Sequence, residues 1–323
     1  MGGGSEALEG IVAAELARPA PTPAVVLADA IRRRHGETVA AVLFYGSCLR
    51  KGTAEGVLDF YVLVDSYGDA YASRWLARAN AWLPPNVLYL EAPHAGGTLR
   101  VKYAVVSRED FAKCAAGRGL DARIWARFSQ PALLVFARDD AARRDAVSAV
   151  AQAIRTFVGR LQPLLPATHG VQRVAPAELW RTGLRETYRA ELRSEAAASI
   201  DALYASDPAR YDRVTVAALR ELSARGQFDL HEAEGGGLTI DSDGAELRRA
   251  RRAWRLRRPL AKVLAVLGLL KTAATFDDWV SYVVWKLERH SGQEIELTER
   301  QRRHPLVYGW PVIFRLLRER VLR

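Results

Sequence analysis

Apolar residues fall into two kinds of run along this chain. Val39–Tyr45 reads Val-Ala-Ala-Val-Leu-Phe-Tyr and stops at Gly46-Ser47, the pattern of a strand buried on both faces and followed by a turn. Gly56–Val64 is a second continuous run, interrupted by a single carboxylate, Asp59. Asn86–Glu91 and Leu99–Val106 predict two further strands around a Pro93–Gly97 turn, and Ala132–Ala137 a last short one. Pro23–Arg34 reads as a short helix leading into the first strand, and Asp69–Trp82 carries helical periodicity stopped by Pro84-Pro85. Ser107 followed by Asp110 reads as the cap of another helix, and a long helix is expected over Ala141–Leu164. Beyond residue 165 the pattern is mainly helical, over Ala177–Leu203 and Val214–Ala224, with a small hairpin expected within Phe228–Ile240.

Strands interleaved with helices, then helices alone, predict an α/β (α+β) chain: a mixed sheet with flanking helices, a mainly helical second domain, and a basic amphipathic C-terminal region. The expected divisions are a helical leader at 1–35 that begins with flexible glycines, a catalytic head at 36–165, a helical domain at 166–245, and a basic, Trp-containing helical region at 246–323. A length of 323 residues suits two domains, or one with an extension.

Charge sharpens this division. The chain has 47 Lys+Arg and 37 Asp+Glu, a net charge of +10. Residues 246–323 hold 18 of the former and 8 of the latter, so 29 of each remain in 1–245 and the whole excess lies in the last quarter. Four of the eight tryptophans lie there too: Trp254, Trp279, Trp285 and Trp310. Arginine-rich helices bearing Trp and Leu have the composition of an element lying in an anionic membrane interface. A helix starting at Pro311 would place Trp310, Ile313, Phe314, Leu317 and Val321 on one face. The competing reading is a basic outer face on a helical domain, with that stripe docked on the protein's own core. Nucleic acid ranks below both, because no zinc-finger or RNA-recognition signature is present.

Hydrophobic residues at 49% and charged residues at 26% exclude a disordered or fibrous chain. Cys48 and Cys114 lack metal-ligand spacing, which excludes a disulfide framework and a structural zinc site. Met1–Glu6 has neither the basic start nor the apolar core of a targeting peptide. The longest apolar run, Pro259–Leu270, is interrupted by Lys262 and falls short of the roughly 20 residues a bilayer span needs. The expected location is cytoplasmic, peripheral on the inner face of the membrane.

The chemistry-bearing pattern is Tyr45-Gly46-Ser47, then Leu58-Asp59-Phe60 within a strand. A Gly-Ser turn after a strand offers backbone N–H groups and a hydroxyl to phosphate oxygens. A carboxylate inside a buried strand is costly unless it is paired or holds a cation. Together they describe a nucleotidyltransferase-type head in which Asp59 holds Mg²⁺ against a nucleoside triphosphate, with Gly46, Ser47 and Lys51 as candidate phosphate-binding residues. Such heads usually carry a second acid two residues on, where this chain has Tyr61. Asp65 lies six residues from Asp59, roughly 20 Å along an extended strand, so Glu91 at the end of a neighbouring strand is the better second metal ligand. His94, His290 and His304 have no paired ligands, and Asp277-Asp278 diverge by about 100° on a helix.

Ala41–Ser47, Leu58–Asp65, Arg100–Ser107 and Arg127–Pro131 follow in an order and spacing that resemble the motif series of the mitochondrial-type CTP:phosphatidate cytidylyltransferases, the translocator assembly and maintenance family. The resemblance covers about residues 40–136. It implies a nucleotidyltransferase fold and transfer of a cytidylyl group from CTP to phosphatidic acid with Mg²⁺, giving CDP-diacylglycerol for phospholipid synthesis. Carried over by position, Gly46 and Ser47 would hold phosphates, Asp59 the metal, and Lys102 a phosphate, with Arg127 at the cleft mouth. The family has Lys where this chain has Gln130, and Asn where it has Glu91. Two alternatives stay open: a nucleotidyltransferase with a protein, small-molecule or RNA acceptor, and a non-catalytic membrane-associated scaffold on a degenerate head.

Overall fold

A computed structural model of the chain describes residues 7–95, 97–119, 122–190, 197–233 and 237–275. The expected helix at 311–323, three of the four C-terminal tryptophans, His290, His304 and Asp277-Asp278 lie outside them.

The chain is a mixed α/β protein built on a five-stranded sheet. Its opening helices are α1 (Leu8–Leu16) and α2 (Thr22–His35). The sheet strands are β1 (Val39–Tyr45), β2 (Val57–Val64), β3 (Asn86–His94), β4 (Gly97–Ser107) and β5 (Ala132–Ala137). Their spatial order is β3-β4-β2-β1-β5, with β2 and β4 parallel and every other neighbouring pair antiparallel. The parallel pair needs a crossover, which α4 (Tyr67–Ala70), α5 (Arg74–Trp82) and edge strand β3 supply. The single helix expected over 69–82 is thus two short ones. Ser66 and Ser73 cap them, each side chain accepting a backbone N–H of the first turn.

Both faces of the sheet are covered, which explains the continuous apolar runs. On one face Leu58, Phe60, Val62 and Val64 of β2 meet Leu27 and Ile31 of α2. On the other, Tyr61 and Leu63 join a larger core with α6 (Arg108–Ala115), α7 (Arg123–Phe128) and α8 (Asp140–Leu161). The Ser107 cap forms as expected: its Oγ accepts the Asp110 N–H at 3.1 Å.

That larger core runs without a break from Leu8 to Trp254. The leader is therefore partly structural, since Leu8, Ile11, Val12 and Leu16 of α1 are buried in it. It continues through α9 (Pro176–Ala190), α10 (Ala197–Ala205) and α11 (Pro208–Ala224). The expected hairpin forms as β7 (Leu230–Glu232) and β8 (Leu238–Asp241), and β6 (Val171–Val174) adds a third antiparallel strand beside β8. The last described helix is α12 (Gly244–Thr275). Among the described residues, no helix is long and apolar enough to cross a membrane.

Trp254 corrects the expectation built on composition. It is buried, meets Trp125 edge-on at 6.2 Å between ring centroids, and donates its indole N–H to Glu186 at 2.8 Å. A tryptophan counted toward a membrane face instead fastens α12 to the core.

Candidate active site

The candidate residues gather where β1 ends and β2 begins. Tyr45 and Asp59 are register partners across β1 and β2, and Asp59 and Lys102 across β2 and β4. One row across the sheet therefore carries Tyr45, Asp59, Lys102 and Tyr89 on the face that also bears Tyr61.

Gly46 has φ +93°, and a Cβ there would lie 2.8 Å from Asp59 Oδ2, so the turn closes on the carboxylate only because this residue has no side chain. Ser47 is exposed at the start of α3 (Ser47–Lys51), whose first-turn amides have no acceptor within the helix. Lys51 is exposed at the far end of α3.

Asp59 differs from the fully buried carboxylate expected. Its side chain is 24% exposed and its Oδ1 lies 3.3 Å from Lys102 Nζ. The two side chains meet because adjacent parallel strands place register partners side by side on one face. Tyr61, standing where a second acid was sought, is buried, and Arg127 Nη1 donates to its hydroxyl at 3.3 Å. Phe128 packs on both Tyr45 and Tyr61, with centroids at 5.6 and 5.0 Å, which fixes α7 and sets Arg127 beside the row.

No protein-family model and no curated protein matches this chain.

The remaining acids are placed differently from expectation. Glu91 lies on β3, two strands from Asp59, opposite Arg100, whose Nε donates to it at 3.0 Å. The same Glu91 oxygen accepts the Tyr89 hydroxyl at 2.7 Å, and burial together with that carboxylate raises the Tyr89 pKa. Two strand spacings, each roughly 4.8 Å, keep Glu91 from sharing a cation with Asp59. Asp65 closes the opposite side of the sheet region, at the end of β2, where Arg108 and Arg138 hold it at 2.9 and 2.5 Å. Neither is a second ligand for Asp59. Gln130 is buried, its Nε2 donating to the Ala126 carbonyl at 3.2 Å.

Among the described residues no group of three His, Cys, Asp or Glu side chains could hold a metal ion. The donor set suits Mg²⁺ only as it is held by one carboxylate plus substrate phosphates, with Asp59 as that carboxylate. Cys48 is buried and donates to the Val57 carbonyl at 3.4 Å, a packing role. The Tyr61–Arg127 contact was missed in the sequence because it joins residues 66 apart through the fold.

Proposed function

We propose that the chain transfers a cytidylyl group from CTP to the phosphate of phosphatidic acid at a membrane surface, forming CDP-diacylglycerol and pyrophosphate. The observation that carries this reading is the closure of the Gly46-Ser47 turn onto Asp59, with Lys102 and Arg127 on the same sheet face. Cations placed beside such a turn stabilise charge that develops in phosphoryl transfer. The motif series at 41–47, 58–65, 100–107 and 127–131 supplies the choice of CTP and phosphatidate.

In this reading the Ser47 hydroxyl and the first amides of α3 receive the triphosphate oxygens. An oxygen of the acceptor phosphate attacks the α-phosphorus, and the bond to the bridging oxygen of the β-phosphate breaks, releasing pyrophosphate. Lys102 and Arg127 offset the charge spread over the phosphoryl oxygens, and the chain mainly positions the reactants. Mg²⁺, held by Asp59 together with the nucleotide, would supply further charge neutralisation there. The basic, apolar-striped α12 supports a peripheral association with lipid.

The test incubates the full chain with labelled CTP or ATP and vesicles with or without phosphatidic acid. The expected product is CDP-diacylglycerol from CTP alone, with the rate falling at least about 100-fold in Asp59→Ala and in Lys102→Ala. Asp65→Ala leaves the rate unchanged, because its partners are the half-buried Arg108 and the exposed Arg138 rather than the residues beside Asp59. Transfer from ATP, or transfer indifferent to phosphatidate, would favour a different acceptor. Absence of any nucleotide transfer would overturn the catalytic reading.

A further inference from the structure

The two most exposed tryptophans among the described residues are in the first half of the chain, outside the basic last quarter. Trp75 is 64% exposed and Trp82 82% exposed, both on α5. The helix is fixed from its inner side: buried Asn80 donates to the Tyr71 hydroxyl at 2.8 Å and to the Val105 carbonyl at 2.9 Å, and accepts the Asn86 N–H at 2.8 Å. With Asn80 and Leu76 turned in, Arg74, Trp75, Arg78 and Trp82 share the outer arc and are all exposed. Residues 70–90 contain these two arginines and no carboxylate. Exposure of two indoles on one face is costly in water unless that face meets a partner, and its charge selects an anionic one.

A second exposed apolar face meets this one at a corner. On α12, Leu256, Leu260, Val263 and Leu267 recur at i, i+4, i+7 and i+11, and stand 75, 45, 56 and 41% exposed. Arg252, Arg255 and Lys262 are exposed beside them. At the end of α12, Lys271 donates to the carbonyl of Leu83 and, at 2.8 Å, to that of Pro85, the residues directly after Trp82. Both helices pack against β3, the sheet edge next to the strand that bears Lys102.

We infer that α5 is a membrane-docking element: Trp75 and Trp82 seat at the headgroup boundary of an anionic phospholipid bilayer, Arg74 and Arg78 pair with lipid phosphates, and α12 provides the adjoining contact. Indole and guanidinium are the pair of groups suited to that boundary, one amphipathic and one phosphate-binding. Two helices meeting at Leu83–Pro85 fix an orientation that a single tail would leave free to rotate, and turn the β3 edge toward lipid. The inference concerns the surface and does not need the chain to be catalytic.

The experiment is vesicle flotation of the full chain without nucleotide, on phosphatidylcholine alone and on mixtures with phosphatidic acid or phosphatidylglycerol. Binding is expected to both anionic mixtures. Arg74→Gln/Arg78→Gln lowers the partition about thirtyfold, each cation contributing about fivefold near an anionic surface. Trp75→Ala/Trp82→Ala lowers it on both anionic mixtures, and Trp75→Phe/Trp82→Phe loses much of the fluorescence quenching that brominated lipids cause in the parent chain. Urea midpoints for all three pairs match the parent, since the replaced side chains are exposed. Unchanged partition and unchanged quenching in these variants would overturn the inference and leave α5 as a protein-binding face. Vesicle binding through α5 with no cytidylyl transfer would overturn the catalytic reading alone. Loss of transfer to vesicles but not to a short-chain, water-soluble phosphatidate in the α5 variants would support both.

Discussion

Gly46 combines φ +93° and ψ −162°, a region essentially reserved for glycine, with a Cβ position 2.8 Å from Asp59 Oδ2. Gly46→Ala is therefore expected to cost at least about 1–3 kcal/mol in backbone strain, and more from the displaced carboxylate. Urea denaturation of a double-mutant cycle separates the two. In the Asp59→Ala background the same change should cost less, because the 2.8 Å contact with Oδ2 is gone while the strain and a 3.3 Å approach to the Cβ of residue 59 persist. Equal costs in the two backgrounds would show that the turn does not rest on Asp59. At this scale the sequence was half legible. The Gly-Ser turn and Asp59 were found because turn chemistry and a charge in an apolar run are local signals. Lys102 as the partner of Asp59 was not read, because pairing across a parallel ladder depends on register, which no local pattern specifies.

A buried ion pair joins elements of this fold that are distant in sequence. Arg210 of α11 and Glu15 of α1 are 3 and 8% exposed and bond at 2.7 and 3.2 Å. Arg210 Nη1 also donates to the Ser129 carbonyl at 2.6 Å, and Glu15 Oε1 accepts the Ala132 N–H at 3.3 Å. The pair thus ties the helical half to the corner where α7 turns into β5, next to Arg127. Arg210→Met leaves Glu15 buried without its cation and is expected to cost about 3–5 kcal/mol. Glu15→Leu/Arg210→Met should be less destabilised than Arg210→Met alone, since no buried charge remains, although Ser129 and Ala132 each lose a hydrogen-bond partner. Chemical denaturation of the three variants decides this, and a double variant no more stable than Arg210→Met would refute it. The strands β1, β2 and β5 were readable to within a residue because burial on both faces produces continuous apolar runs. The helices α1 and α7 and the strand β6 were not: they are short, and partners far along the chain stabilise them rather than their own periodicity.

Across the whole molecule, the sequence divided the chain by charge, yet its hydrophobic core runs through both halves. Composition placed basic residues and tryptophans in the last quarter, but direction is a property of packing: Trp254 points inward, and among the described residues the exposed indoles are on α5. Two titratable groups on different helices, α2 and α12, report how firmly those helices are held. His35 on α2 is buried, bonded through Nδ1 to the Ala70 carbonyl at 2.7 Å and through Nε2 to the Tyr103 hydroxyl at 3.1 Å. Burial, only partly offset by the Ala70 bond, holds its pKa below the ordinary 6.5. The unfolded chain therefore binds more protons, so this contribution to stability is complete above pH 6.5 and is lost as pH falls through the lower folded value. Lys271 is lowered from 10.5 to about 7, mainly by burial and further by Arg123. Detaching the end of α12 restores its ordinary value, so attachment is firmest above pH 10.5, weakens as pH falls toward 7, and changes little below that. A neutral amine still donates to Leu83 and Pro85, so the contact itself survives deprotonation. Hydrogen exchange across pH should then show two windows. Amides of α12 near Lys271 gain protection between pH 7 and 9 while those of β1 and β2 do not, and global stability by urea falls below pH 6.5. Lys271→Met should abolish the first window and leave the second, His35→Gln should flatten the second and leave the first, and a single shared window would show that α12 and the sheet open together.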